Sequence, residues 1–581
     1  MAEEADAAPA APDNYIVIGL DFGTTFTGVT WVHAREPEKL HLVNNWPNIE
    51  TRSADKVATK LQYNDTGFVW GQTAVQSGGP SHSWFKLALE PERFRDAADT
   101  LGEALQFDNL DKLITDYLTG VFQHVIPELE HRLGRVLFDD SRFHIVVTVP
   151  AIWSDAAKQR TLRAVQAVPV FPAPFTASLF SEPEAAAIAA LHDIKRIRNE
   201  NALNVGDTFV IVDAGGGTVD LITYTITALT PRLEVREATE GTGGICGAAL
   251  VDMRFRQYLI AKLGQDPDWN DETLQNALDS FEGRAKKAFC TADLTNNAAY
   301  NIIVPGINRN PELGLTRNSR LTLNATDVHM FFEPEILKII RLVREQINLC
   351  NMPVQSILLV GGYGQSKYLR ERLVMEFEQA QENPIEVLQP PNAWTAVTQG
   401  AAMRGLVTIK PENHNVPVVR ARRARKHYGY LLGVVFNPAA HAELRDTRFW
   451  DDFDGLWRVP VMKWLLKRGE LVSEDVPFRN GFFNTFRVAE TQSRVFTLDI
   501  QMDEVTAEAP LQPNDNMRQL CRLTADLSAI PDAQMDQKQG ADGQMWYNVA
   551  FEIEAVYHSA STQYCLIYKG VRYESVTAEY V

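Results

Sequence analysis

The sequence is poor in cysteine: Cys246, Cys290, Cys350, Cys521 and Cys565 are the only five in 581 residues, and they are widely spaced. No Cys-x-x-Cys pair occurs, which speaks against a thiolate zinc site and fits a reducing compartment. No apolar run reaches the roughly 18 residues of a membrane-spanning helix. Positive charge is not in excess either: 56 Lys plus Arg stand against 74 Asp plus Glu, for a net charge of −18. A chain this acidic has no general attraction for nucleic acid or anionic membrane, although backbone amides can still hold a small anion. A Gly-x-x-x-x-Gly-Lys-Ser/Thr phosphate loop is absent. The opening MAEEADAAPAAPDN lacks a basic flank and an apolar stretch, so residues 1–14 read as a disordered tail rather than a secretory signal.

Hydrophobic residues make up 45% and charged residues 22% of the chain, a composition able to build several cores. From residue 15 to about 408, short apolar runs (Tyr15–Leu20, His144–Val149, Phe209–Val212, Ser356–Val360) alternate with helical stretches such as 155–167, 183–191 and 366–377. This predicts an α/β fold. From 428 the pattern becomes strand-like. In 548–557, Val549, Phe551, Ile553 and Ala555 share one face while Glu552 and Glu554 take the other, so a mainly β domain is expected over 428–581. Between the two lies 409–427, with the basic run VVRARRARKH. It reads as a solvated linker or edge strand, or alternatively as a nuclear-import signal.

Two segments share one plan. YIVIGLDFGTTFTGVTW and FVIVDAGGGTVDLITY each carry an apolar strand, an Asp at its end, a Gly/Thr turn and a second strand. One hairpin is used twice, in two related halves of a single unit. In the second copy Gly215, Gly216 and Gly217 lack Cβ, so the backbone can take positive φ and aim several N–H groups at one anion. Thr218 adds a hydroxyl. Asp213 would repel a phosphate unless a cation lay between them, which suggests a Mg²⁺–phosphate site held partly through water. The first copy offers Asp21, Gly23, Thr24, Thr25 and then Phe26. A dinucleotide-binding loop does not fit, because strand follows strand with no helix between.

Other features are weaker by themselves. Gly361-Gly362 lies between a strand and a helix, where a ribose or phosphate can rest on the helix N-terminus. Glu282 and Lys286 stand four residues apart, which usually means a solvent-exposed pair and only secondarily a nucleoside contact. Glu182, in SEPEAAAIAAL, suits a first helical turn or a carboxylate that orients water in a cleft.

Taken in order, LDFGTTFTGV, VTVPAIWSDAAKQ, SEPEAAAIAAL, VDAGGGTVD and VGGYGQSKYL resemble the landmark motifs of the heat-shock protein 70 (DnaK-type) ATPase domain, of the actin-like superfamily. The resemblance covers most of 15–407. It implies an actin-like fold of two lobes, with ATP/ADP and Mg²⁺ as cofactors. Asp21 and Asp213 would hold the hydrated metal. Gly23, Thr24, Thr25, Phe26, Gly215, Gly216, Gly217 and Thr218 would hold the nucleotide, together with Gly243, Gly244, Glu282, Lys286, Gly361, Gly362 and Tyr363. Lys86, Glu182, Asp213 and Thr218 would be catalytic. Pro150 matches a proline that switches with nucleotide, and Lys158 stands where the family usually has an arginine.

The departures are specific. The family's Ser-x-Arg after the Gly pair is Tyr363-Gly364-Gln365 here, which leaves Tyr363 as the surface for stacking a base. Its Gly-Gly-Glu-Asp stretch becomes GTGGICGAALVD, and its acid-flanked linker becomes basic. The C-terminal part resembles the substrate-binding β-sandwich loosely, through KRGELVSEDVPF, RVFTLDIQ and NVAFEIEAV, and no helical lid is expected after it. The expected function is therefore slow ATP hydrolysis coupled to binding of an unfolded peptide or a specific protein partner, with co-chaperones as further partners. A cytoplasmic location follows, with the nucleus as the alternative that the basic run would allow. Three further readings remain: a nucleotide-dependent binding module with little hydrolysis, a small-molecule kinase with Asp220 as its nominal base, and an actin-like filament.

Overall fold

The first hairpin sets the architecture. Strand β1 (Tyr15–Phe22) pairs antiparallel with β2 (Phe26–His33), placing Asp21 opposite Gly28 and Phe22 opposite Thr27. Strand β3 (Arg142–Val149) runs parallel to β1, and β4 (Phe175–Ser181) runs parallel to β3. Helix α1 (Glu182–Ile197) follows directly. The plan then repeats. Strand β5 (Thr208–Ala214) pairs antiparallel with β6 (Val219–Ala228), with Asp213 opposite Asp220. Strand β7 (Ser356–Val360) is parallel to β5, and β8 (Glu386–Leu388) is parallel to β7. Helix α2 (Ala396–Ile409) closes the second half. The hairpin repetition expected from sequence is thus a repetition of whole sheets. The computed structural model describes residues 14–49, 53–77, 81–92, 94–95, 107–172, 174–197, 203–316, 319–380, 382–413, 415–474, 476–488, 494–573 and 576–580. Of the expected tail, only Asn14 falls among them.

Every residue of β1 and β3 except the first is buried, as expected for strands covered on both faces. Glycine lets the helices approach closely. A Cβ on Gly400 of α2 would lie 1.8 Å from the carbonyl oxygen of Ala185 in α1, and one on Gly19 would lie 2.3 Å from that of Thr398. Thr398 Oγ1 donates to the Gly19 carbonyl at 2.9 Å. The two halves therefore share a core in which α1 and α2 touch. The helix expected over 155–167 spans Asp155–Gln166, and the Ser154 hydroxyl caps it by accepting from the Ala157 N–H.

The chain divides into two compact units, 1–419 and 420–581. The second is mainly β. One sheet runs in the order Phe449–Asp451, Leu456–Leu466, His427–Val435, Val495–Asp503, Arg518–Asp526, Val576–Tyr580. The other is built on Phe478–Arg487, Met545–Tyr557 and Thr562–Tyr568. Tyr430, Ile500 and Leu523 of the first pack with Phe482, Phe551 and Leu566 of the second in one core, so the unit is a sandwich.

Met545–Tyr557 is one strand, so Glu552 and Glu554 share the face opposite Val549, Phe551, Ile553 and Ala555 as expected, but Glu554 is covered there. It is 1% exposed, accepts from Arg479 Nε at 2.8 Å, and is also bonded by Arg572. Two guanidinium groups make burial of the carboxylate tolerable. Of the two structural readings of the basic run, linker or strand, a strand is found over Val418–Arg423. Arg422 is buried against Glu474 at 2.9 Å, and His427 is buried.

Candidate functional site

The turns of the two hairpins meet tip to tip. A Cβ on Gly216 would lie 2.3 Å from Thr25 Oγ1, and one on Gly217 would lie 2.6 Å from Thr24 Oγ1. The glycines are required for this close approach, not for positive φ. None of Gly23, Gly215, Gly216 and Gly217 has positive φ, contrary to the sequence reading. The Gly215 N–H donates to the Thr218 carbonyl at 2.9 Å and closes the turn. Gly361 is the one site glycine in the left-handed region, at φ +83, and a Cβ there would lie 2.4 Å from Asp213 Oδ1. Gly243 and Gly244 flank the second hairpin, opposite Asp220 and Val219.

Behind the tips lies a cluster of buried charge. Lys86, 2% exposed, donates from Nζ to Glu182 Oε1 at 2.6 Å. Its ammonium also sits 5.0 Å from the Trp153 ring and 5.7 Å from the Phe22 ring. Lys86 is thus not a surface lysine. Glu182 stands at the β4–α1 junction. Burial pushes its carboxyl up to about 7, Lys86 opposes the shift, and Asp21 and Asp220 add to it. Asp213 is pushed well above the ordinary carboxylate range by burial, then by Glu182, Asp220 and Asp21, with Lys56 opposing. Asp21 and Asp213 therefore belong to one electrostatic cluster. Asp220, the nominal kinase base, accepts instead from the N–H groups of Ala151 at 2.8 Å and Ile152 at 3.3 Å. It fixes the turn after Pro150.

Lys56 was not foreseen from the sequence. Its Nζ donates to Asp21 Oδ2 at 2.5 Å and lies 4.7 Å from the Trp394 ring centre. Trp394 in turn meets Phe26 edge-on at 5.5 Å, and its ring fills the space where a Gly362 Cβ would be. Nothing in the spacing around KVATKLQY separates this lysine from a surface one. Only pairing of Val57–Ala58 with Phe26–Thr27 turns it inward.

Other predicted residues stand differently than expected. Glu282 and Lys286 are not a solvent-exposed pair. Lys286 is 9% exposed and lies between Asp252 at 2.7 Å and Glu282 at 2.8 Å, in a π-helical turn. Burial works against its charge, but the two carboxylates prevail and hold it at about 12. Tyr363 is 3% exposed and packs in the core against Phe332 at 6.2 Å. The stacking face expected of it is covered. Lys158 is buried, 4.0 Å from Asp155.

Four carboxylates (Asp21, Asp213, Asp220, Glu182) face two ammonium groups (Lys56, Lys86). Burial and the neighbouring carboxylates together raise Glu182 and Asp213, and a divalent cation would relieve that repulsion. Among the described residues no three His, Cys, Asp or Glu side chains converge on one point. A cation here would therefore be held through its own waters, as magnesium commonly is.

A repeated plan of four strands, with facing Asp-bearing hairpins and a helix behind each half, is the actin-like ATPase fold. A family model described as Hsp70 protein matches residues 121–419, just over half of the chain. The chain belongs to the Hsp70 family, whose ATPase domains generally bind nucleotide with Mg²⁺. It is similar to human heat shock 70 kDa protein 12B, at 24% identity over 546 residues, covering 76% of this chain and 75% of that protein. Human heat shock 70 kDa protein 12A is 23% identical over 509 residues, covering 71% of each. A chaperone protein HscA homolog from Rickettsia rickettsii is 22% identical over 432 residues, covering 71% of this chain and 60% of that one. No helix among the described residues is long and apolar enough to cross a membrane.

Proposed function

We propose that the chain binds ATP between the two hairpin turns, hydrolyses it slowly, and couples nucleotide state to partner binding by its β-rich unit. The observation that carries this is the buried cluster in which Asp21 and Asp213 lie beside the Lys86–Glu182 pair. The Thr24, Thr25 and Thr218 hydroxyls and the turn N–H groups would hold phosphate oxygens. Lys86 would meet charge developing on the transferred phosphoryl group. Glu182, once ionised, would orient the attacking water. A hydrated magnesium ion at Asp21 and Asp213 would offset phosphate charge. Asp220 positions the turn at Pro150 through the Ala151 and Ile152 N–H groups.

Partner binding is supported by the exposed aromatic residues of the 420–581 unit. Trp450 and Trp457 face each other across adjacent strands at 5.6 Å and are 51% and 44% exposed, with Phe449 and Leu456 beside them. Exposed apolar clusters of this kind mark interaction surfaces. Peptide affinity that is equal with ATP, with ADP and without nucleotide would remove the coupling.

The runner-up is a nucleotide-dependent module with little hydrolysis. It is favoured by the threonines seated against Gly216 and Gly217 and by the burial of Tyr363. Turnover assays on wild type, Lys86→Met and Glu182→Ala separate the two. Activity present in wild type and lost in both variants supports the ATPase, and no wild-type activity above buffer leaves the module.

A further inference from the structure

Lys56 is the one charged group at the hairpin tips with no role in the reading above. It is 8% exposed, and burying an ammonium costs several kcal/mol unless it is well paired. The fold makes room for it specifically. Gly28 stands opposite Asp21 across the hairpin, and a Cβ on Gly28 would lie 3.1–3.4 Å from Cγ, Cδ and Cε of Lys56. The aliphatic stem passes over the bare glycine backbone, and the ammonium emerges at Asp21 Oδ2, 2.5 Å away. Its far side is covered by the Trp394 ring. The same charge acts on Asp213. Lys56 thus contacts Asp21 directly and its charge is felt at Asp213, the two carboxylates that would hold a hydrated cation. An ammonium carries three donors, so one bond to Asp21 leaves capacity for phosphate oxygens.

We propose that Lys56 is a built-in cation of the phosphate site, bridging Asp21 to the oxygens of a bound nucleoside diphosphate or triphosphate and sharing the neutralising role of the divalent ion. This rests on the nucleotide reading above. Its consequence is that nucleotide binding in this chain depends only weakly on magnesium.

Calorimetric titration of the full chain with ADP, in magnesium and in EDTA, tests it. In wild type, EDTA weakens binding by less than about tenfold. In Lys56→Met, which keeps the stem and removes the charge, the loss in EDTA exceeds the wild-type loss by about tenfold or more, the worth of a charged hydrogen bond. Lys56→Arg keeps the wild-type ratio. If Lys56→Met does not fold, the wild-type ratio and that of Lys56→Arg decide. A wild type that binds ADP with magnesium but loses it in EDTA overturns the proposal and leaves the nucleotide site standing, as does a Lys56→Met ratio equal to that of wild type. No ADP binding in either buffer overturns both.

Discussion

Lys86 and Glu182 are 96 positions apart in sequence and joined by a 2.6 Å ion pair, with the lysine almost completely buried. The pair ties the segment Phe85–Leu89 to the start of α1. Replacing Lys86 by Met is expected to lower single-turnover ATP hydrolysis by about 10²–10³-fold, the cost of removing one preorganised group at a developing charge. It also leaves a buried carboxylate unpaired, so the melting temperature falls too. Unchanged turnover would remove Lys86 from the chemistry.

The proton affinity of Glu182 gives a pH signature. Its carboxyl is raised from 4.5 to about 7, chiefly by burial. A raised carboxyl holds its proton more tightly in the folded chain than in the unfolded one. Its contribution to stability is therefore full below the unfolded value and is lost as pH climbs from 4.5 to about 7. Asp213 shifts in the same sense. Without nucleotide, the melting temperature is expected to fall across that span, and less steeply in Glu182→Gln. Hydrolysis should run the opposite way, with an acid limb near pH 7 where Glu182 ionises. Parallel melting curves for wild type and Glu182→Gln across the span would contradict this.

Close backbone approach makes two glycines sensitive. Gly400→Ala would place a Cβ 1.8 Å from a backbone oxygen of α1, which cannot turn aside, so a loss of about 3 kcal/mol or more is expected in urea unfolding. Gly216→Ala meets the Thr25 hydroxyl at 2.3 Å instead, pushing the hairpin tips apart. A smaller stability loss of about 1–3 kcal/mol, with a clear loss of nucleotide affinity, is expected. Wild-type affinity in Gly216→Ala would mean that the tips do not frame the ligand.

Tyr363 carries a buried hydroxyl with no hydrogen-bond partner among the described residues. Tyr363→Phe removes that unmet polar group and is expected to raise stability by about 1 kcal/mol, with nucleotide affinity unchanged. A destabilised variant, or one with altered affinity, would show that the hydroxyl serves a ligand.

Much of the fold was legible because it is written locally. The Asp–Gly–Thr turn between apolar runs appears twice, and the strands around it are continuous β-branched segments. Asp21, Asp213 and Glu182 were visible for the same reason: each ends a strand or opens a helix. What escaped depends on contacts between distant segments. Lys56 looks like any lysine until Val57–Ala58 pairs with β2. Lys286 and Glu554 have the spacing of surface residues, but Asp252 and two arginines cover them. The need for Gly216 lies in Thr25, which is far away in the chain.

The central claim is that the facing hairpins frame one magnesium–nucleoside triphosphate. Calorimetric titration of the full chain with ATP and Mg²⁺, alongside Gly216→Ala and with GTP in place of ATP, tests it most directly. One binding site for ATP per chain, clearly weakened in Gly216→Ala, is the expected result, and the GTP arm shows how far a site with Tyr363 buried still selects adenine. Absence of heat with either nucleotide, or binding that Gly216→Ala leaves intact, would contradict the account.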